Sequence, residues 1–222
     1  SVARLVLRMA DERLAASEAL ARWGRSLCAR NVDVLPMPLV FDRLPEPSPV
    51  PGDGFVLGVG RLVPEKGFDV LIDAVACLDP EQRPELVVVG IGPDRQALAE
   101  RAAKVGVSLH LPGAVGPAEL SDWYRRARIV AVPSRREGFG LVAAEAAAAG
   151  RAVVGSAVGG IPSVVASGVS GLLVEPGDVN HLAEALSDVD PDWGRNGPAL
   201  VAHLGMEPHG TFVRQLYDDM TT

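Results

Sequence analysis

The sequence predicts an α/β fold, a doubly wound Rossmann-like parallel sheet with helices on both faces. Three observations carry this. Short apolar runs rich in β-branched residues recur between residues 55 and 174. They are near-continuously apolar rather than alternating, as strands covered on both faces are. Segments of helical period fill the gaps, joined by short loops, which is the strand, helix, strand rhythm of a doubly wound domain.

The first 45 residues read as a helix, a short strand near Arg13 to Ala16, a helix from Ser17 to Leu27 and an extended VDVLPMPLV. That is too little to bury a core alone, so residues 1–45 are expected to be the terminal elements of another domain. In PEPSPVPGDG, Pro45 to Gly54, four prolines remove donors and disfavour helix, which marks a linker. Residues 46–222 are then expected to form one Rossmann-like domain. Its strands fall at Phe55 to Val59, Leu86 to Gly90, Val107 to Leu111, Ile129 to Val132, Ala152 to Gly155 and Gly171 to Val174. Phe68, Leu71, Ile72, Val75 and Leu78 repeat at helical spacing after the first strand; Leu98, Ala102 and Val105 do so after the second, beside a Glu100/Lys104 pair. Pro117 opens a third helix with Leu120, Tyr124 and Ala127 on one face. Further helices are expected at Gly140 to Ala149, Ile161 to Ala166, Val179 to Ser187 and Gly210 to Met220.

Composition narrows the function. With 222 residues, 48% hydrophobic and 22% charged, the chain is an ordinary globular protein, and 24 glycines with 18 prolines make it rich in turns. The net charge of −7 argues against nucleic acid or an anionic bilayer as partner, so any anionic ligand must be held locally. The charge is uneven, with seven basic and five acidic side chains up to residue 45 and 14 against 23 beyond it. Cys28 and Cys77 have no CxxC spacing, no run approaches the length of a spanning helix, and SVARLVLRM lacks a signal-peptide core, so a cytoplasmic location is expected. The absent initiator Met suggests a fragment or a processed end.

In an open parallel sheet, ligands bind beyond the carboxyl ends of the strands. Three segments sit there. GRLVPEKG, Gly60 to Gly67, places Arg61 and Lys66 on one loop, where a planar fork and a mobile ammonium can both reach a phosphate-bearing ligand. SRREGFGLVAAEAAAAG, Ser134 to Gly150, lets backbone amides near Gly138 and Gly140 approach a ligand at a helix start. Glu137 lies before that helix and Glu145 eight positions later, where carboxylates can accept from hydroxyls. A sugar nucleotide would suit this set. VGGIPSVV, Val158 to Val165, is a further loop entry explained as readily by packing as by a site.

Other chemistries find no support. GIGPDR lacks the third glycine of a dinucleotide fingerprint and no GxxxxGK[ST] exists. His110, His181, His203 and His209 have no metal spacing, and His110 within a strand reads as a core residue. No GxSxG elbow surrounds Ser134. Trp23, Trp123 and Trp193 read as packing residues.

GRLVPEKGFDVLIDAV, VVVGIGPDRQAL, the E-x7-E spacing from Glu137 to Glu145 and VGGIPSVVASGVSGLLVEPGD together resemble the C-terminal, donor-binding domain of retaining GT-B glycosyltransferases of the family 4 type, from about Phe55 to Leu186. SEALARWGRSL and VDVLPMPLV resemble the last elements of the N-terminal acceptor domain of such chains, and FVRQLYDD their closing helix. The resemblance implies a nucleoside-diphosphate sugar donor, transfer with retention, and no metal or other cofactor. It implies that Arg61 and Lys66 bind the diphosphate, that amides of Gly138, Phe139, Gly140, Leu141 and Val142 hold phosphate and sugar hydroxyls, and that Glu145 accepts from the ribose. Glu137 would contact the donor sugar near the reacting centre, and backbone near Val115 the base. The partners implied are an acceptor molecule and an acceptor domain, supplied in cis or in trans. A non-catalytic sugar-nucleotide-binding subunit and a GT-B-like epimerase are the alternatives. Ser163 stands where such chains carry an acidic residue after GGIP, and Arg151 and Ala152 stand where they carry Pro.

Overall fold

Side chains alternate across a strand, so a run such as VVV can feed two cores at once. A computed structural model of the protein describes residues 2–40, 46–52 and 54–221. Within Phe55–Val59 (β3), Leu86–Val89 (β4) and Ala127–Val132 (β6), Val56, Leu86, Val88, Ile129 and Ala131 face one core, while Leu57, Val87, Val89, Val130 and Val132 face the other. The first core is closed by helices Phe68–Cys77 (α3), Arg95–Val105 (α4) and Val179–Asp188 (α7), the second by Pro117–Arg126 (α5), Leu141–Ala148 (α6) and Gly197–Val201 (α8). Leu57, Leu71 and Ile72 are fully buried, and each such side chain contributes roughly 1.5 to 3 kcal/mol.

With Leu109–Gly113 (β5), Ala152–Ser156 (β7) and Gly171–Val174 (β8), the sheet has six parallel strands in the order β5-β4-β3-β6-β7-β8. Chain order reverses between β3 and β6. That is the topological switch point, where the loops leaving two neighbouring strands part to opposite faces and open a crevice. The loops concerned are residues 60–67 and 133–140.

The Ala-rich helix α6 is explained by its position. Ala143, Ala144, Ala146, Ala147 and Ala148 are all buried, and a Cβ at Gly197 of α8 would lie 2.4 Å from the Ala147 carbonyl oxygen, so only small residues allow the approach.

The amino-terminal elements are Val2–Met9 (α1), Leu14–Ala15 (β1), Glu18–Cys28 (α2) and Asp33–Val34 (β2), with β1 and β2 paired in parallel around a small cluster of Ala21, Cys28 and Val32. Leu39 is buried with the main core and its amide donates to the Leu204 carbonyl at 2.7 Å. Part of the linker motif, Pro45 and Asp53, lies outside the described residues. The remainder is gripped by Arg151, fully buried, whose guanidinium donates to the Ser48 carbonyl at 3.0 Å and to its hydroxyl.

Several expected elements differ. β5 begins two residues later than expected, and it is the edge strand, so His110 is exposed and tilts against Trp123 instead of entering the core. The helix expected over Ile161 to Ala166 is a single 3-10 turn, Ile161–Ser163, because the Ala166 amide donates to the Ser170 hydroxyl at 3.1 Å and the chain turns away. The closing helix, Met206–Thr221 (α9), starts four residues early, and a turn at Pro191–Asn196 with α8 was not expected at all. Trp123 and Trp193 pack as expected, but Trp23 is 59% exposed.

Candidate ligand site at the switch point

The loop after β3 turns through Gly60, Pro64–Lys66 forms one 3-10 turn, and Gly67, with φ +68°, opens α3. The loop after β6 runs from Pro133 to Gly140, whose φ of +95° starts α6. They are joined tightly. The Arg135 amide donates to the Glu65 carbonyl at 2.8 Å, and the Arg135 guanidinium forms two 2.7 Å bonds with the Asp69 carboxylate and a third with the Pro64 carbonyl. Partial burial pushes the Asp69 carboxyl up, but Arg135 together with the backbone amides of Asp69 and Val70 outweighs it and holds the group below its usual range.

Across this joint Lys66 Nζ donates to Glu137 Oε2 at 2.7 Å, with the two side chains 21% and 15% exposed. Glu137 also accepts from the Ser134 hydroxyl at 3.4 Å and from the Gly138 amide at 3.1 Å. Lys66, Glu137 and the Gly138 turn therefore meet at one point. Arg61 is exposed at the start of the same loop, and its guanidinium has no hydrogen-bond or ion-pair partner among the described residues. The Phe139 side chain is buried in the core and pins the turn, so only its backbone can serve a ligand. No side chain caps α6, which leaves the first-turn amides of Leu141 and Val142 available to an anion at the positive end of the helix.

Gly159 and Gly160 support this turn from behind. A Cβ on Gly159, whose φ is +58°, would fall 1.8 Å from the Glu137 carbonyl oxygen, and one on Gly160 would fall 2.1 Å from that of Phe139. GIGPDR has the same kind of role, since Gly90 passes under Gly60 and Gly92 under Leu62.

Beside the turn lies a cleft of about 340 Å³ whose walls include Val115, Leu120, Leu141 and residues 38–40. Val115 and Glu145 thus border one cavity. At its base Tyr124, fully buried, donates from its hydroxyl to Glu145 Oε2 at 2.8 Å. Burial raises the Glu145 carboxyl above its usual range, with the tyrosine bond acting against it. Sequence reasoning missed three contributors. Ser17 caps α2 and donates to the Gly138 carbonyl at 2.7 Å across 121 residues, Arg135 stood unremarked within SRREGFG, and residues 38–40, the end of VDVLPMPLV, were given no place in the cleft they line. Their residue types carried no signal; only the fold brings them here. A larger cleft of about 1020 Å³ opens at the opposite ends of the strands, around Arg83 and Arg128, both of which already bond backbone carbonyls. Among the described residues no cluster of three His, Cys, Asp or Glu could hold a metal ion, and no helix is long and apolar enough to cross a membrane.

A six-stranded parallel sheet with helices on both faces, and a glycine-rich turn and a cleft at its switch point, places the chain among the doubly wound, Rossmann-like α/β domains. Residues 54–189 match the family described as "Glycosyl transferases group 1", and the chain belongs to that family. It is 40% identical over 169 residues to a D-inositol 3-phosphate glycosyltransferase of Streptomyces avermitilis, covering 70% of this chain and 35% of that one. It is 43% identical over 173 residues to the protein of the same name from Kribbella flavida, covering 68% and 39%. Among solved structures, sucrose-phosphate synthase from Thermosynechococcus elongatus superposes with a TM-score of 0.86 at 29% identity, over 99% of this chain and 61% of that one. HepE of Anabaena, solved with UDP and glucose, gives 0.86 at 23% identity over 98% and 66%, and shows the shared GT-B fold. The chain spans little more than a third of the length of these curated relatives.

Proposed function

We propose that the chain supplies the donor-binding half of a glycosyltransferase that moves a sugar from a nucleoside diphosphate to an acceptor with retention of anomeric configuration. The observation that carries the reading is the meeting of Lys66, Glu137 and the Gly138 turn at the switch point, beside a cleft that ends on Glu145. From its relatives the reading takes the reaction class, sugar transfer.

In this reading the diphosphate lies over the start of α6. Lys66, reinforced by Arg61, and the amides from Gly138 to Val142 neutralise charge that develops on the departing diphosphate, a preorganised electrostatic environment that needs no metal. Lys66 leaves Glu137 for the phosphate as the donor enters, which frees the carboxylate to accept from hydroxyls of the donor sugar. The base lies along the apolar walls near Val115, and the ribose hydroxyls reach Glu145. Residues 1–45 belong to the acceptor-side domain, joined in cis or in trans: Val2, Leu5, Val6 and Met9 of α1 are 59–80% exposed, an apolar face suited to more protein.

Calorimetric titration with UDP, GDP and ADP tests the reading. One of the three is expected to bind at submillimolar concentration, and no binding of any at millimolar concentration would overturn it. With the acceptor-side domain present, NMR of the first-formed product is expected to show the donor's anomeric configuration; inversion contradicts retention.

A further inference from the structure

Glu145 is borne on α6, and a glutamate has three rotatable bonds with which to leave a ligand or swing to water. Here one oxygen is fixed. Oε2 accepts the Tyr124 hydroxyl at 2.8 Å, and Tyr124 is fully buried in the core on α5. Oε1 has no hydrogen-bond partner among the described residues, yet it is not among the buried, unpartnered polar atoms, so it opens to the cleft that both side chains line. Burial, with the neighbouring Glu145 charge and the bond itself, pushes the phenol well above its usual range, so it is a donor at neutral pH.

We propose that Tyr124 is the positioning residue for the nucleoside end of the site: its hydroxyl holds the Glu145 carboxylate by one oxygen so that the other meets the vicinal hydroxyls of a ribose. The inference rests on the reading of Glu145 as the ribose acceptor. A donor to Oε2 also favours the ionised carboxylate against the cost of burying it, and the ionised form is the one that accepts two hydroxyl hydrogens. Tyr124 is the only other ionisable side chain among the described residues lining the cleft; Pro38, Leu39, Val40, Val115 and Leu120 are apolar, and Ser121 is neutral.

The test is calorimetry of the nucleoside diphosphate that binds best, and of inorganic pyrophosphate, from about pH 5 to 8, on the unaltered chain, Tyr124→Phe, Glu145→Gln and Glu145→Asp. Tyr124→Phe keeps the ring and removes the donor. It is expected to weaken nucleotide binding by about tenfold, to leave pyrophosphate unchanged, and to move the acid limb of the nucleotide profile to higher pH. Glu145→Asp keeps the charge but withdraws it from the phenol, so it should show the same loss with the tyrosine itself unaltered. If Tyr124→Phe lowers thermal stability while nucleotide affinity and acid limb stay put, or Glu145→Asp binds as the unaltered chain does, the tyrosine only fills the core and the proposal is overturned. If Glu145→Gln binds nucleotide as well as the unaltered chain, the ribose assignment itself falls and takes this inference with it.

Discussion

The two ends of the site hold their carboxylates by opposite means. At the proposed phosphate end, Glu137 faces a lysine, a hydroxyl and an amide in a partly exposed turn; at the proposed nucleoside end, Glu145 faces a buried phenol and apolar walls with no cation. The first works by charge and should yield when an anion competes for Lys66. The second works by desolvation, where one neutral donor sets both the orientation of a carboxylate and its readiness to ionise. Salt should therefore weaken the first and leave the second nearly untouched, while mild acid should weaken the second, whose carboxyl burial raises above its usual range.

The largest effect is expected where the backbone of the charged end is displaced. Gly159→Ala adds a Cβ 1.8 Å from the Glu137 carbonyl oxygen at a φ of +58°, so the turn must move. Chemical denaturation should show a loss of about 2 kcal/mol or more, and pyrophosphate and nucleotide affinity should fall together. Next, Lys66→Ala should weaken both ligands by roughly tenfold or more at low ionic strength, a loss that titration at rising salt should shrink. Arg61→Ala should follow the same pattern with a smaller loss, because its guanidinium is exposed.

The smallest effect concerns the joint between the loops. Asp69 has a folded pKa held below its unfolded value by Arg135, so its contribution is present above the unfolded value, near 4 for an ordinary aspartate, and is lost as pH falls through the folded one. Both side chains are more than a third exposed, so Asp69→Asn should cost no more than about 1 kcal/mol at neutral pH. The difference from the unaltered chain, followed by urea melts, should vanish in acid.

The contrast also explains what could be read from the residues. The parallel sheet was legible because buried runs such as LVVV and IVAV admit few other structures, and the meeting of the two loops followed from their place after β3 and β6. Lys66 and Glu137 were legible as types of side chain in glycine-rich loops. The desolvated end was not. Tyr124 repeats with Leu120 as an ordinary core residue, and nothing local tells that its hydroxyl will meet Glu145, 21 residues on. His110 failed for a related reason, since edge and central strands share a pattern and only the pairing order separates them. Ser17 signalled a helix start, which it is, but its bond to Gly138 depends on how distant segments pack.

The division of labour is tested most directly by comparing inorganic pyrophosphate with the best-binding nucleoside diphosphate on Lys66→Ala and Glu145→Gln in one calorimetric series. Lys66→Ala is expected to weaken both ligands by the same factor, and Glu145→Gln to weaken the nucleotide alone. Loss of pyrophosphate binding in Glu145→Gln, or its full retention in Lys66→Ala, would contradict a phosphate end and a nucleoside end built on separate residues.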